Sequence, residues 1–162
     1  MHSKIFQISN KPISKDEYCS PADFYENSDD FADYIGNEME DENEKREYIK
    51  GLAQCMEGVL TLNSDCSMTY VSEEKLREFK QKWVDYLRSM VNELTADNIL
   101  SDQRLYRLRK AAERTHVDRC SRFYINEWNG YAGAMDDFVE FIDHQLKPGD
   151  RIYVGAIIDF HW

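Results

Sequence analysis

The sequence predicts an α+β fold in which a small, mostly antiparallel sheet packs against one long helix and several shorter ones. The clearest alternation of apolar and polar residues, typical of a strand, runs from Arg151 to about Phe160. A continuous apolar stripe at helical spacing runs from Leu76 to Leu94. With only 7 glycines and 3 prolines, the chain is poorly suited to a turn-dense β-barrel or β-sandwich.

Local patterns predict the other elements. β-Favouring residues indicate strands at 4–9 and 122–128 and a hairpin over 59–71. Apolar residues recurring every three or four positions predict helices at 41–57, 72–94, 101–115 and 134–146. We expect the terminal strands and the 122–128 strand to form the sheet, and helix 72–94 to be the core helix of a single domain spanning 1–162.

Three details of these elements are specific enough to test. One face of the last strand is predicted to carry all of its alternating apolar residues, which are Ile152, Val154, Ala156, Ile158, Phe160 and Trp162. A short turn through Phe24 and Tyr25 is expected after Ser20-Pro21. A helical piece around Phe31, Tyr34 and Ile35 is expected to end at Gly36, and Leu105, Leu108 and Ala112 are expected to face inward from helix 101–115.

The charge is distributed very unevenly along the chain. The net charge is −11, and the stretch from Asp23 to Glu47 contains eleven acids and two bases. Aromatic residues are interleaved with these acids, which is atypical of a disordered acidic tail. The stretch from Ser101 to Arg122 contains seven bases and three acids. The overall negative charge disfavours nucleic acid and anionic membranes as partners.

Features of the whole chain predict a cytoplasmic protein. The residues from Met1 to Gln7 lack the apolar core of a signal peptide, and no apolar stretch is long enough to cross a membrane. The four cysteines are widely spaced and form no Cys-x-x-Cys pair, so free buried thiols are expected: Cys19, Cys55, Cys66 and Cys120.

Motifs for chemistry are weak. No glycine-rich phosphate-binding motif occurs, and the acids do not match a calcium loop. His116 and Cys120, with His144 farther along, are the one arrangement to consider for nucleophilic or metal chemistry, but no second ligand pair or catalytic signature accompanies them. We therefore predict no metal and no cofactor, and we lean against an enzyme.

The leading hypothesis is a non-enzymatic binding protein, of the inhibitor or immunity type, whose residues 23–47 engage a basic protein surface. The residues expected to carry this contact are Asp29, Asp30, Asp33, Tyr34, Glu38, Glu40, Asp41 and Glu42. The alternative is a small-molecule-binding or catalytic domain with an aromatic pocket of Trp128, Tyr131 and Tyr153. A third hypothesis is a homo-oligomer, formed by edge-to-edge pairing of the terminal strands. The bases Arg104, Arg107, Lys110 and Arg114 are also candidates to pair with the acidic stretch, within the fold or across a dimer.

Overall fold

The predicted α+β fold is confirmed. The computed structural model describes residues 2–27, 32–100, 103–117, 120–128 and 130–161. Its strands are β1 (His2–Ser9), β2 (Tyr34–Glu38), β3 (Leu60–Leu62), β4 (Met68–Tyr70), β5 (Arg122–Ile125), β6 (Ala132–Gly133) and β7 (Arg151–His161). Its α-helices are α1 (Glu42–Cys55), α2 (Glu73–Asn92), α3 (Arg104–Arg114) and α4 (Met135–Gln145), and two 3₁₀ helices span Lys15–Glu17 and Pro21–Asn27.

The strands form one mixed sheet in the order β3-β4-β7-β1-β5-β6, with β2 paired to β7 beyond the end of β4. Only the pairing of β1 with β5 is parallel, so the sheet is mostly antiparallel as predicted. Both terminal strands, β1 and β7, lie in the centre with neighbours on each side. The predicted dimer through the edges of the terminal strands is therefore wrong, because those edges are already paired.

Hydrophobic clusters cover both faces of the sheet. On one face, the cluster is built from α1, α4 and the first turns of α2. On the other face, Cys19 and Phe24 from the 3₁₀ region pack with Ile35 of β2 and with β7. This second cluster fixes the early part of the chain to the sheet, so the acidic stretch begins beside a buried residue, Phe24.

The predicted single apolar face of β7 is wrong because β7 contains a bulge. Phe6 lies opposite Ile157 and Ile8 opposite Val154, so two steps along β1 match three along β7. One extra residue reverses the face that the following side chains occupy. The apolar residues divide accordingly: Ile152 and Val154 join the helix-side cluster, and Ala156, Ile158 and Phe160 join the other. Trp162 lies outside the described residues.

The predicted helical piece around Tyr34 and Ile35 is also wrong, since these residues form β2. Ile35 is buried opposite Phe160 of β7. Gly36 lies so near β7 that a Cβ atom there would come within 3.2 Å of the Asp159 Cβ atom. Pairing with β7 satisfies the backbone and overrides the weak helical spacing. Phe31, the first residue of that prediction, lies outside the described residues.

Helix α2 begins as predicted but is a core helix only over its first two turns. Ser72 Oγ accepts a hydrogen bond from the Lys75 amide at 3.2 Å, and Leu76 and Phe79 are buried. The following turns contribute no buried residue and pack against α3, where Trp83 Nε1 donates to the Ala111 carbonyl at 2.9 Å. We call residues 80–100 and 103–114 the helical arm.

Two side-chain predictions for α3 are wrong. Ala111, and not Ala112, is buried, while Leu105 is about half exposed. The predicted strand 122–128 ends at Ile125, and a turn follows in which the Trp128 amide donates to the Ile125 carbonyl at 3.1 Å. None of the helices among the described residues has the length and apolarity needed to cross a bilayer.

Candidate functional site

The exposed acids of the early chain lie just before β2 and from the end of β2 to the first turn of α1. We define the acidic strip as the exposed residues Asp33, Tyr34, Glu40, Asp41, Glu42 and Glu44. Tyr34 is 59% exposed although it lies in a strand. The strip therefore presents carboxylates together with one large aromatic side chain.

Glu38 belongs to the predicted site but is held by a buried lysine. Lys45 Nζ lies 3.2 Å from Glu38 Oε1 and 3.9 Å from Glu42 Oε1, and only 8% of the Lys45 side chain is exposed. The Lys45 ammonium also lies 5.1 Å from the centroid of the Tyr18 ring. Glu38 thus compensates the charge of Lys45 inside the fold, and its carboxylate is the least exposed of the predicted acids that the structure describes.

The other predicted acids differ in their local roles. Asp41 caps α1, since its Oδ1 accepts from the amides of Asn43 at 2.8 Å and Glu44 at 3.1 Å. Asp33 Oδ2 lies 3.4 Å from His161 Nδ1, and Glu40 is exposed. Asp29 and Asp30 lie outside the described residues.

Three bases of helix α3 form ion pairs with acids of the arm. Arg104 pairs with Glu93 at 3.4 Å, and Arg109 and Lys110 pair with Glu113 at 3.1 and 3.0 Å. On the strip, Glu42 lies 4.0 Å from Lys15. The acidic strip and the basic α3 each take ion pairs from nearby residues, so opposite charges remain on separate parts of the molecule.

The predicted aromatic pocket has no counterpart in the two cavities described below. Tyr131 is half exposed and donates from its hydroxyl to Asp137 Oδ1 at 3.1 Å. Trp128 packs against the helix-side cluster, with its ring 6.3 Å from that of His144. Neither cavity is lined by these residues or by Tyr153. A pocket built on the three aromatics stays a prediction.

The histidine and cysteine candidates lie in different surroundings. His116 packs on Phe79 with ring centroids 4.5 Å apart, and its Nε2 is 3.4 Å from Glu57 Oε2. His144 lies against Trp128, whereas Cys120 lines a cavity beside α1. Within the described part of the chain, no three His, Cys, Asp or Glu side chains are grouped as a metal site.

Two cavities open on opposite faces of the sheet. One, of about 320 Å³, lies over the second cluster and is lined mainly by polar groups, including Gln7, Asp16 and Asp23. The other, of about 430 Å³, lies between β1 and α1, and we call it the α1 cavity. Its lining includes Lys4, Tyr48 and Gly51, none of which the sequence singled out. The sign of this cavity that the sequence did offer was Gly51, a glycine in the middle of a helix.

The electrostatics of the α1 cavity are described by the pKa shifts of Lys4 and Asp159. Burial is the largest single influence and acts to lower the pKa of Lys4, but the Asp159 carboxylate 2.7 Å away and the Tyr48 hydroxyl together outweigh it, and the pKa lies above its ordinary value. Hydrogen bonds from Lys4 and His2 outweigh burial in the same way at Asp159, whose pKa is lowered. A charged Lys4–Asp159 pair therefore lies beside this cavity at neutral pH.

Comparison of the chain with protein-family models, with curated proteins and with solved structures finds no match.

Proposed function

We propose that this protein is a non-enzymatic binding protein whose acidic strip engages a basic surface of another protein. The observation that carries the proposal is the separation of charge: the carboxylates of the strip are exposed, while three of the five bases of α3 pair with acids of the arm. Concentrated negative charge steers encounter with a basic partner over about 10 Å at ordinary salt.

Tyr34 supports the proposal because complementary charge by itself raises the rate of association more than the affinity of the complex. Contacts that hold a complex together are enriched in tyrosine, tryptophan and arginine. Tyr34 is exposed beside Asp33 on a strand fixed by the buried Ile35. A rigid aromatic side chain next to carboxylates is suited to contact an arginine-rich surface through both charge and ring.

The experiment compares capture by two variants with equal net charge. The strip variant is Asp33→Asn/Glu40→Gln, and the control is Glu74→Gln/Glu140→Gln, which removes two exposed acids outside the strip. Immobilised protein is exposed to lysate at low and high salt, and captured proteins are identified and retested in pure form. We expect a basic partner that is lost in high salt and in the strip variant, by roughly tenfold in affinity, and kept by the control.

Two outcomes would oppose the proposal: a partner that survives high salt, or equal losses for the strip and control variants. In the first case charge does not dominate the contact, and in the second only net charge matters. Tyr34→Ala provides a further arm, since it leaves the charge unchanged and should weaken a genuine contact by about 1–3 kcal/mol.

A separate observation favours self-association as a second candidate. Ten large apolar side chains among the described residues are substantially exposed, and seven of them lie on the helical arm: Val84, Tyr86, Val91, Ile99, Leu100, Leu105 and Tyr106. Helix α3 carries five bases and one acid. Seven exposed apolar side chains on two packed helices favour an interface there, and the net positive charge of α3 complements the acidic strip. We propose that the arm of one copy contacts the strip of a second copy.

Mixing two charge variants tests this contact directly. Sedimentation velocity of the native protein should show association that weakens with salt. Arg104→Gln/Arg107→Gln on the arm and Asp33→Asn/Glu40→Gln on the strip remove the charges without reversing them, and each variant should be monomeric alone. Their mixture should stop at a 1:1 complex, because it retains one intact arm and one intact strip. A native protein that stays monomeric at roughly 0.1 mM would refute the contact, while leaving the basic-partner proposal in place.

A further inference from the structure

The α1 cavity becomes less polar from its mouth to its floor. Along β1 the exposed fraction of the side chain is 72% for His2 and 14% for Lys4, and Phe6 at the next position is buried. Along α1 the polar Glu47 is followed by the buried Leu52. Met135 of α4 completes the floor. A volume of about 430 Å³ lies within the range of small-molecule sites, and the gradient suits a ligand with an apolar end and a polar end.

The wall formed by α1 is open because position 51 has no side chain. Gly51, Leu52 and Cys55 follow Tyr48 by three, four and seven positions, so the four residues share the helix face that lines the cavity. Glycine within a helix is unfavourable by about 1 kcal/mol relative to alanine. Packing does not require this glycine, since a Cβ atom at Gly51 would meet no atom within 4 Å. The glycine keeps space in the cavity at the expense of helix stability.

The charges at the cavity favour an acceptor group over a cation. The Asp159 carboxylate already accepts from Lys4 at 2.7 Å and from His2 at 2.8 Å. The Glu47 carboxylate at the rim accepts from Lys50 at 3.2 Å. The Lys4 ammonium has three N–H donors, of which Asp159 and the Tyr48 side chain engage two, so it retains one for a further acceptor. Ser3 and Ser121 add hydroxyl donors to the lining.

We propose that the α1 cavity binds a small carboxylate with an aromatic or short aliphatic body, the body lying on Phe6, Leu52 and Met135 and the carboxylate on Lys4. The charge-assisted hydrogen bond to Lys4 gives specificity, and the apolar floor gives affinity. The proposal is independent of the acidic strip, since no residue of the strip lines this cavity.

A matched series of probes tests both the place and the class of ligand. Phenylacetate, 2-phenylacetamide and 2-phenylethylamine share one body and differ in the head group. Titration followed by backbone amide NMR should show phenylacetate shifting the amides of Gly51 and its helix neighbours at millimolar concentration. Phenylethylamine should bind about tenfold more weakly. Equal or tighter binding of the amine would overturn the ligand class, and absence of shifts for all three up to about 10 mM would overturn the site.

Variants of α1 and β1 locate the binding. Gly51→Leu should abolish binding by filling the cavity, while raising the melting temperature by about 2–4 °C because leucine is a better helix former. Gln54→Leu adds the same side chain at an exposed position outside the cavity and should bind as the native protein does. Lys4→Met should remove the preference for the carboxylate over the amide. Unchanged binding in Gly51→Leu, or a lower melting temperature, would overturn the inference.

Discussion

Substitution of Gly155 by alanine should strongly destabilise the protein because of Gln7. Gln7 is 2% exposed, and its Oε1 accepts from the amides of Cys19 at 3.0 Å and Ala156 at 3.1 Å. Its Nε2 donates to the Glu17 carbonyl at 2.9 Å and to Asn126 Oδ1 at 3.2 Å. A Cβ atom at position 155 would lie 2.5 Å from Gln7 Oε1, a distance at which the Gln7 side chain must move.

The magnitude follows from the groups that lose their partner. When Gln7 Oε1 moves, the amides of Cys19 and Ala156 are left buried without an acceptor, at about 1–3 kcal/mol each. We expect Gly155→Ala to lower the free energy of unfolding by about 3 kcal/mol. Gln7→Ala removes the same acceptor and should cost a similar amount. In that background Gly155→Ala should add less than about 1 kcal/mol, because the atom it meets is gone.

The assay is urea denaturation of the two single variants, the double variant and a control glycine. Gly130→Ala is the control, since a Cβ atom there meets nothing within 4 Å. Its free energy of unfolding should stay within about 0.5 kcal/mol of the native value. Additive losses in the double variant would refute the reasoning, because they would place the cost of Gly155→Ala somewhere other than at Gln7.

Two further predictions concern titratable groups. Burial first, and then the adjacent Asp137 carboxylate, raise the pKa of Asp136 to about 6. The folded state therefore holds a proton that the unfolded chain releases near pH 4. Because of this difference, the folded state loses stability as the pH rises from about 4 to 7. Asp136→Asn should therefore raise the free energy of unfolding by about 1–2 kcal/mol at pH 7.5, after allowance for partial exposure, and have little effect at pH 4; the opposite trend would contradict the assignment. Burial raises the pKa of the Cys19 thiol to about 12, so its thiolate fraction at pH 8 is about a thousandfold below that of an ordinary cysteine. Mass spectrometry after iodoacetamide treatment of the folded protein should find Cys19 unmodified, and rapid alkylation there would contradict its burial.

Sequence periodicity predicted the helices and strands whose structure is determined by residues within the same segment. The Ser72 cap, the start of α2, the hairpin and α4 all follow from local chemistry. The bulge in β7 could not be predicted in this way, since it depends on Gln7 reaching the Ala156 amide across 149 positions. The outer part of α2 shows the second limit. An apolar stripe indicates which side chains share a face, but not whether a layer covers that face.

The candidate site was predictable in its composition and not in its details. Charge counting located the acidic region, but the sequence gives no indication that Lys45 is buried beside Glu38. The α1 cavity was missed because its lining comes from distant segments, among them β1, α1 and residues near Cys120. Gly51 was the one local sign, and a mid-helix glycine by itself does not distinguish a cavity from a close helix contact.

The structure also separates acids that support the fold from acids that do not. Asp41 caps α1, and Glu42 and Glu44 lie in its first turn, where negative charge is stabilising. These three acids would be retained without any partner. Asp33 and Glu40 lie outside the helix, and Tyr34 exposes a large ring to water.

Protection of a sheet edge does not account for these residues either. Charged residues on an edge strand prevent it from pairing with another chain. However, the acids of the strip lie before and after β2, and the acid within β2 is Glu38, which is paired with Lys45. Solubility requires net charge but not its concentration in one strip, where the acids repel one another. Asp33 contacts His161 at 3.4 Å, but Asp33, Tyr34 and Glu40 all lie outside α1 and its cap. For this reason the variants that test the proposed binding change these three residues and leave the start of α1 intact.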